Sequence, residues 1–99
     1  MKLPIDDFQK VFESRIRLGI MSSLAVNDSL DFSSMKEYLD VTDGNLATHL
    51  KMLEKEELIG VEKSFINRKP NTKYFMTEKG KMAFTSHLKA LETFINSHK

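Results

Sequence analysis

The feature that most limits what this chain can fold into is the lack of room between Asp40 and Thr42. Ser33 and Ser34 open a helix there, Ser34 and Glu37 have the spacing of a capping box, and Met35, Tyr38 and Leu39 supply an apolar face. That helix can run only to about Asp40, because Val41 leads straight into Thr42, whose hydroxyl suits the N-cap of another helix. In the second helix Leu46, Leu50 and Leu53 form one stripe and Lys51 and Lys55 lie on a different face. Two short helices joined by a turn of about three residues make a helix-turn-helix.

Past Leu58 the period changes from helical to alternating. Ile59, Val61 and Phe65 share one face of a strand, with Glu62 and Ser64 on the other. A second strand is expected near Thr72 to Met76, with Tyr74 and Met76 facing the core. Between the two, Pro70 and the asparagines of "INRKPN" suit a hairpin loop and discourage further pairing. Thr77 caps a final helix, and Glu78 is well placed against the positive end of its dipole. At about twenty residues this helix is about 30 Å long, more than a core this small can cover.

Upstream, Ile5, Phe8, Val11 and Phe12 lie on one helical face, and Ser14 caps a helix carrying Ile16, Ile20, Met21 and Leu24 to about Val26. "LDF" is too short for an independent strand but can extend the edge of a small sheet. The fold class is therefore mainly α with a small β-hairpin wing. It is a winged helix-turn-helix, with the helix-turn-helix at about residues 33–58, the wing at 59–77 and an added long C-terminal helix at 78–97. A length of 99 residues with 40% hydrophobic and 29% charged residues fits a single domain, residues 1–99.

The absence of cysteine excludes disulfides, thiolate metal sites and cysteine nucleophiles, and suits a cytoplasmic setting. The start "MKLPIDDFQKVF" resembles neither a secretory signal nor a membrane anchor, and no run approaches the roughly 20 apolar residues of a membrane span. Net charge is only +1, but it is unevenly spread. Residues 1–59 hold seven bases against eleven acids, whereas residues 60–81 hold six bases against two acids. Positive charge gathered in one short segment is a footprint expected for phosphate contact.

"SRIRLGIMSSL", "LDVTDGNLATHLKMLEKEELIGVEKSF" and "NTKYFMTEKGKMAF" together resemble the small winged-helix DNA-binding regulators close to the MarR and ArsR transcriptional regulators, over about residues 5–95. The most specific pieces are "TDGNLATHLKMLE" followed by an aliphatic strand, and the hairpin closing on Thr77, Glu78, Lys79 and Gly80. The resemblance implies a dimeric cytoplasmic transcription regulator that reads double-stranded DNA with the helix after Thr42 and touches the backbone with the hairpin. The cysteine or paired Asp and His ligands of ArsR-type metal sensors have no counterpart here, and the extra helical segments around the ligand pocket of longer MarR proteins have little room. No cofactor or metal site is carried over, and any small-molecule effector is unknown.

A recognition helix enters a major groove about 12 Å wide with its N-terminal end against the bases. Gly44 in the opening turn removes the side chain that would hold the main chain away from phosphate, and the N–H groups near Asp43 to Asn45 can then meet phosphate oxygen. Alternatively, Gly44 lies where the turn crowds the preceding helix. With the leucines inward, Gly44, Ala47, Thr48, Lys51 and Lys55 face outward, with Asn45 on the shoulder. Asn45 suits adenine, Thr48 a base or a thymine methyl, and Lys51 guanine or phosphate. Asp43 favours the helix dipole or orients a neighbouring base. His49 lies beside the apolar stripe and is favoured as a half-buried structural residue. In the hairpin, Arg68 and Lys69 at the tip and Lys63 and Lys73 on the arms suit phosphate or minor-groove contact.

The apolar stripe of Leu88, Leu91, Phe94 and Ile95, together with Phe8, Val11 and Phe12 of the first segment, provides surfaces that a homodimer would bury around a two-fold axis. The other reading folds the last helix back over its own core. Catalysis is not expected, because there is no Gly-rich phosphate loop, no HExxH and no convergent triad. His87 and His98 are about 16 Å apart along a helix, too far to share an ion within one chain. The serious rival is a winged helix used for protein–protein contact, which a neutral or acidic hairpin would signal.

Overall fold

The computed structural model describes residues 10–97. A short 3-10 turn at Lys10–Glu13 leads into helix α1, Arg15–Ala25, capped by Ser14, whose hydroxyl accepts from the Arg17 N–H at 3.3 Å. Strand β1, Leu30–Asp31, runs directly into α2, Phe32–Leu39, and α3 follows at Asp43–Lys55. Strands β2, Ile59–Ile66, and β3, Lys69–Met76, form the wing, and α4 closes the chain at Glu78–Asn96. The sheet order is β1-β3-β2, all antiparallel, so the first two residues of "LDF" do extend the sheet edge, with Leu30 opposite Tyr74 and Asp31 opposite Lys73, while Phe32 already belongs to α2. This is the winged helix-turn-helix arrangement with an added C-terminal helix.

One core joins these elements. Ile20, Met21 and Leu24 of α1, Met35 of α2, Leu46, Leu50 and Leu53 of α3, Leu58 and Ile59 at the start of β2, and Phe84 of α4 are all buried together. Tyr74 and Met76 pack against this cluster as expected, and burial, with the Glu54 carboxylate second, pushes the Tyr74 hydroxyl above its ordinary range. α3 ends in a Schellman motif: Leu58 N–H donates to Leu53 O at 3.0 Å, Glu57 takes the left-handed position at φ 62°, and both leucines are buried.

Three expectations need correcting. The cap of α2 is Asp31, whose carboxylate accepts from Ser34 N–H at 2.7 Å, so Ser33 and Ser34 lie inside the helix and Ser34 is the capped residue. The hairpin loop is a two-residue turn at Asn67 and Arg68, with φ 53° and 67°, and pairing continues to Ile66 opposite Lys69. Pro70 is tolerated inside β3 because it pairs with Phe65 one step beyond the turn, where its missing N–H would point away from β2. Phe65 keeps the expected face. It is 76% exposed, because the wing outruns the helices beneath it. Phe12 is only 3% exposed, with its ring edge-on to Phe84 at 5.8 Å and to His87 at 5.0 Å, so it belongs to the chain's own core and not to a partner surface. Most of the Ile5–Phe12 segment lies outside the described residues, as do Phe8 and the side chain of Val11.

Candidate nucleic-acid interface

The opening turn of α3 is closed at Thr42, whose carbonyl accepts from Leu46 N–H at 3.0 Å, and it carries little bulk. Thr42, in extended conformation, accepts from Asn45 N–H at 3.2 Å, and Asp43, Gly44 and Asn45 are all exposed. A Cβ added to Gly44 would meet nothing within 4 Å. Crowding against the preceding helix is therefore not why the glycine is there. The cap already occupies the Asn45 N–H, so the main-chain donors left at the helix end are those of Asp43 and Gly44, which have no partner four residues earlier in a helix. They lie at the positive end of the helix dipole.

From that turn an outward stripe continues along α3. Gly44, Thr48, Lys51 and Lys55 follow one another at helical spacing and all are exposed, while Leu46, Leu50 and Leu53 point the other way into the core. Lys63, Arg68, Lys69 and Lys73 are exposed on the wing. Of the residues expected to face DNA, Thr42, Asp43 and Asn45 are exposed around the opening turn, the Gly44–Lys55 stripe and the hairpin cations are exposed as expected, and Ala47, expected to face outward, is half-buried.

Neighbouring side chains refine this surface. Asp43 forms an ion pair with Lys36 of α2 at 2.8 Å, and both are exposed, so the acid carries a cation to the start of α3 and adds little stability. Sequence reasoning missed Lys36, since only the angle between α2 and α3 brings it to the turn. Arg15 was missed in the same way. It lines a groove of about 540 Å³ that runs past Leu39 and Val41 to Thr42 and Asn45. His49 is half-buried, and Nη1 of Arg17 lies 3.1 Å from its Nδ1. A guanidinium only donates, so Nδ1 is the acceptor. This bond ties α3 to α1.

The profile of the winged helix DNA-binding domain family matches residues 16–95. The chain belongs to this family. An uncharacterised protein of Methanocaldococcus jannaschii is 37% identical over 79 residues, which cover 80% of this chain and 86% of the relative. Among solved structures, a transcriptional regulator homologue from Pyrococcus horikoshii superposes with a TM-score of 0.82 at 30% identity, over 90% of this chain and 88% of that one. A MarR-like transcriptional regulator from Thermotoga maritima superposes with a TM-score of 0.66 at 25% identity, over 85% of this chain and 59% of the other.

The winged helix places its remaining apolar surface at the far end. Gly80, Phe84 and, in the far half, Ala90 of α4 are buried, but Leu88, Leu91 and Ile95 are 46%, 43% and 54% exposed, and Phe94 is half-buried. The molecule measures 58 × 25 × 22 Å, as expected when a helix of 19 residues extends beyond its core. No helix among the described residues is long and apolar enough to cross a membrane.

Proposed function

We propose that this winged-helix regulator binds specific double-stranded DNA sites in the cytoplasm as a homodimer, the whole chain acting as one unit. α3 enters the major groove and the wing lies on the backbone or in the minor groove. The observation that carries this reading is the open main chain at Gly44, at the head of a stripe of Thr48, Lys51 and Lys55. Bare N–H groups at a helix N-terminus suit a phosphate oxygen, and with no side chain in the way the helix can approach closely enough for Asn45 and Thr48 to meet base edges. Arg68, Lys69, Lys63 and Lys73 then neutralise flanking phosphates. Cationic residues on both surfaces favour a polyanion over the protein–protein alternative.

The exposed Leu88, Leu91 and Ile95 support the dimer. Burying them against a second copy would place two recognition helices about one DNA turn apart, which calls for a palindromic site. Sedimentation equilibrium tests this: Leu91→Glu should shift the chain towards monomer while leaving helical content unchanged.

Salt titration of binding to duplexes selected from a random pool tests the DNA assignment. Lys51→Ala and Arg68→Gly should each reduce the slope of log affinity against log salt by about 0.9 for every phosphate that is no longer neutralised. Arg68→Gly also relieves a left-handed residue at φ 67°, so it should stabilise the fold while weakening binding. Binding of both variants with the parent's affinity and slope would overturn the residue assignment.

A further inference from the structure

Phe65 is 76% exposed, the highest value among the large apolar side chains described. A phenyl ring so fully in water gains nothing from its position in the isolated chain. Three observations indicate what it is for. First, Phe65 pairs across the hairpin with Pro70 just behind the Asn67–Arg68 turn, at a position without mutual hydrogen bonds where facing side chains come closest. The tip therefore carries two stiff apolar groups side by side, with no long loop that could fold over them. Second, Phe65 lies on the same strand face as Ile59, which is buried in the core, but six residues beyond it, and so reaches about 20 Å past it. Third, residues 62–73 surround the pair with Lys63, Arg68, Lys69 and Lys73 against Glu62 alone. That charge repels the wing of a second copy and attracts a polyanion.

We infer that the wing ends in an apolar wedge, Phe65 backed by Pro70, that inserts between base steps of the bound duplex and partly unstacks them while the surrounding cations hold the phosphates. Phe and Pro are among the residue types that proteins use to part base steps from the minor groove. Flexible steps such as TA and CA unstack most easily, so the wedge adds sequence preference at positions no side chain reads by hydrogen bonding. Ile66, 51% exposed on the opposite face of the tip, supplies further apolar contact as the groove opens. The inference rests on the DNA-binding reading above and deepens it.

The test uses the full chain and duplexes it selects from a random pool, with 2-aminopurine placed at successive steps of the bound site. In the parent complex one or two steps per half-site should brighten several-fold, and gel phasing should report a bend at the same place. Phe65→Ala should abolish both signals and weaken binding about five- to tenfold while leaving the salt slope unchanged, and Phe65→Leu should retain part of each. Because Phe65 is outside the core, circular dichroism should match the parent for both variants. If the parent binds with a steep salt slope but every step stays stacked, the wedge is overturned and the DNA reading survives. If no duplex binds at all, both fall. If Phe65→Ala abolishes self-association while the bases stay stacked, the ring serves a protein contact and the inference is wrong.

Discussion

The first turns of α3 and α4 share a threonine cap, an acid directly after it and a glycine inside the turn, yet the two glycines face opposite surroundings. In α3 the run is Thr42, Asp43, Gly44, Asn45, and Gly44 opens onto empty space. In α4 it is Thr77, Glu78, Lys79, Gly80, and a Cβ on Gly80 would fall 1.9 Å from the carbonyl oxygen of Leu58. The same Leu58 oxygen accepts from Thr77 N–H at 3.2 Å, and the Thr77 hydroxyl donates to Glu57 O at 2.7 Å while accepting from Gly80 N–H at 2.9 Å. Gly80 is therefore part of a lock between the end of α3, the start of β2 and the start of α4. Gly44 belongs to no such lock. Helix openings of like composition serve packing in one place and leave a surface bare in the other, and only tertiary structure separates them.

Substitution should expose this contrast. The largest effect is expected from Gly80→Ala, which drives a methyl group into main chain that cannot swing aside. Denaturant unfolding followed by circular dichroism should show a loss of about 3 kcal/mol or more, a large part of the stability of a domain this size. An unchanged midpoint would mean that the lock is not under compression. Next come the two caps. Thr77→Ala removes two hydrogen bonds at the junction and should cost about 2 kcal/mol, whereas Thr42→Ala removes one exposed bond and should cost about 1 kcal/mol or less. Equal losses would show that the junction adds nothing to an ordinary cap.

The smallest effect concerns the third cap, Asp31, which unlike the threonines titrates. Its carboxyl is held below the ordinary value chiefly by the Ser34 N–H, then by the Ser34 side chain, with Lys73 adding a smaller pull. A lowered folded value means that its contribution is present above the unfolded carboxylate range, near pH 4, and is lost as pH falls through the lowered value. Because water screens so open a carboxylate, unfolding free energy measured from pH 6 to 2 should fall by well under about 1 kcal/mol on account of this group. Asp31→Asn keeps a capping oxygen and should remove that part of the acid dependence.

Much of the fold can be read from the chain because its signals are local. Ser14, Thr42 and Thr77 each cap the helix that follows, and the stripe of Leu46, Leu50 and Leu53 decides which face of α3 turns inward. The α2 cap is easily misplaced because Ser33, Ser34 and Glu37 offer a plausible capping box just after a better acceptor. The wing reads too short because Asn67–Arg68 lacks the glycine usual in a two-residue turn, and Arg68 takes the left-handed conformation regardless. Alternation gives the correct face for Phe65 but carries no information on where the supporting helices stop. Lys36 and Arg15 reach the opening turn of α3 only through the packing of α1 and α2, and Phe12 meets Phe84 from across the whole sequence.

The proposed DNA binding through a bare helix end turns on Gly44, and a single variant tests it most directly. Stability and affinity of Gly44→Ala should be measured together, on the same preparation, with a duplex selected by the parent chain. An added methyl in open space improves helix propensity, so the variant should unfold at the parent's stability or up to about 1 kcal/mol above it, while affinity falls about tenfold as the main chain is held off the phosphate. An equally stable variant that binds the duplex as tightly as the parent would contradict this role for the glycine.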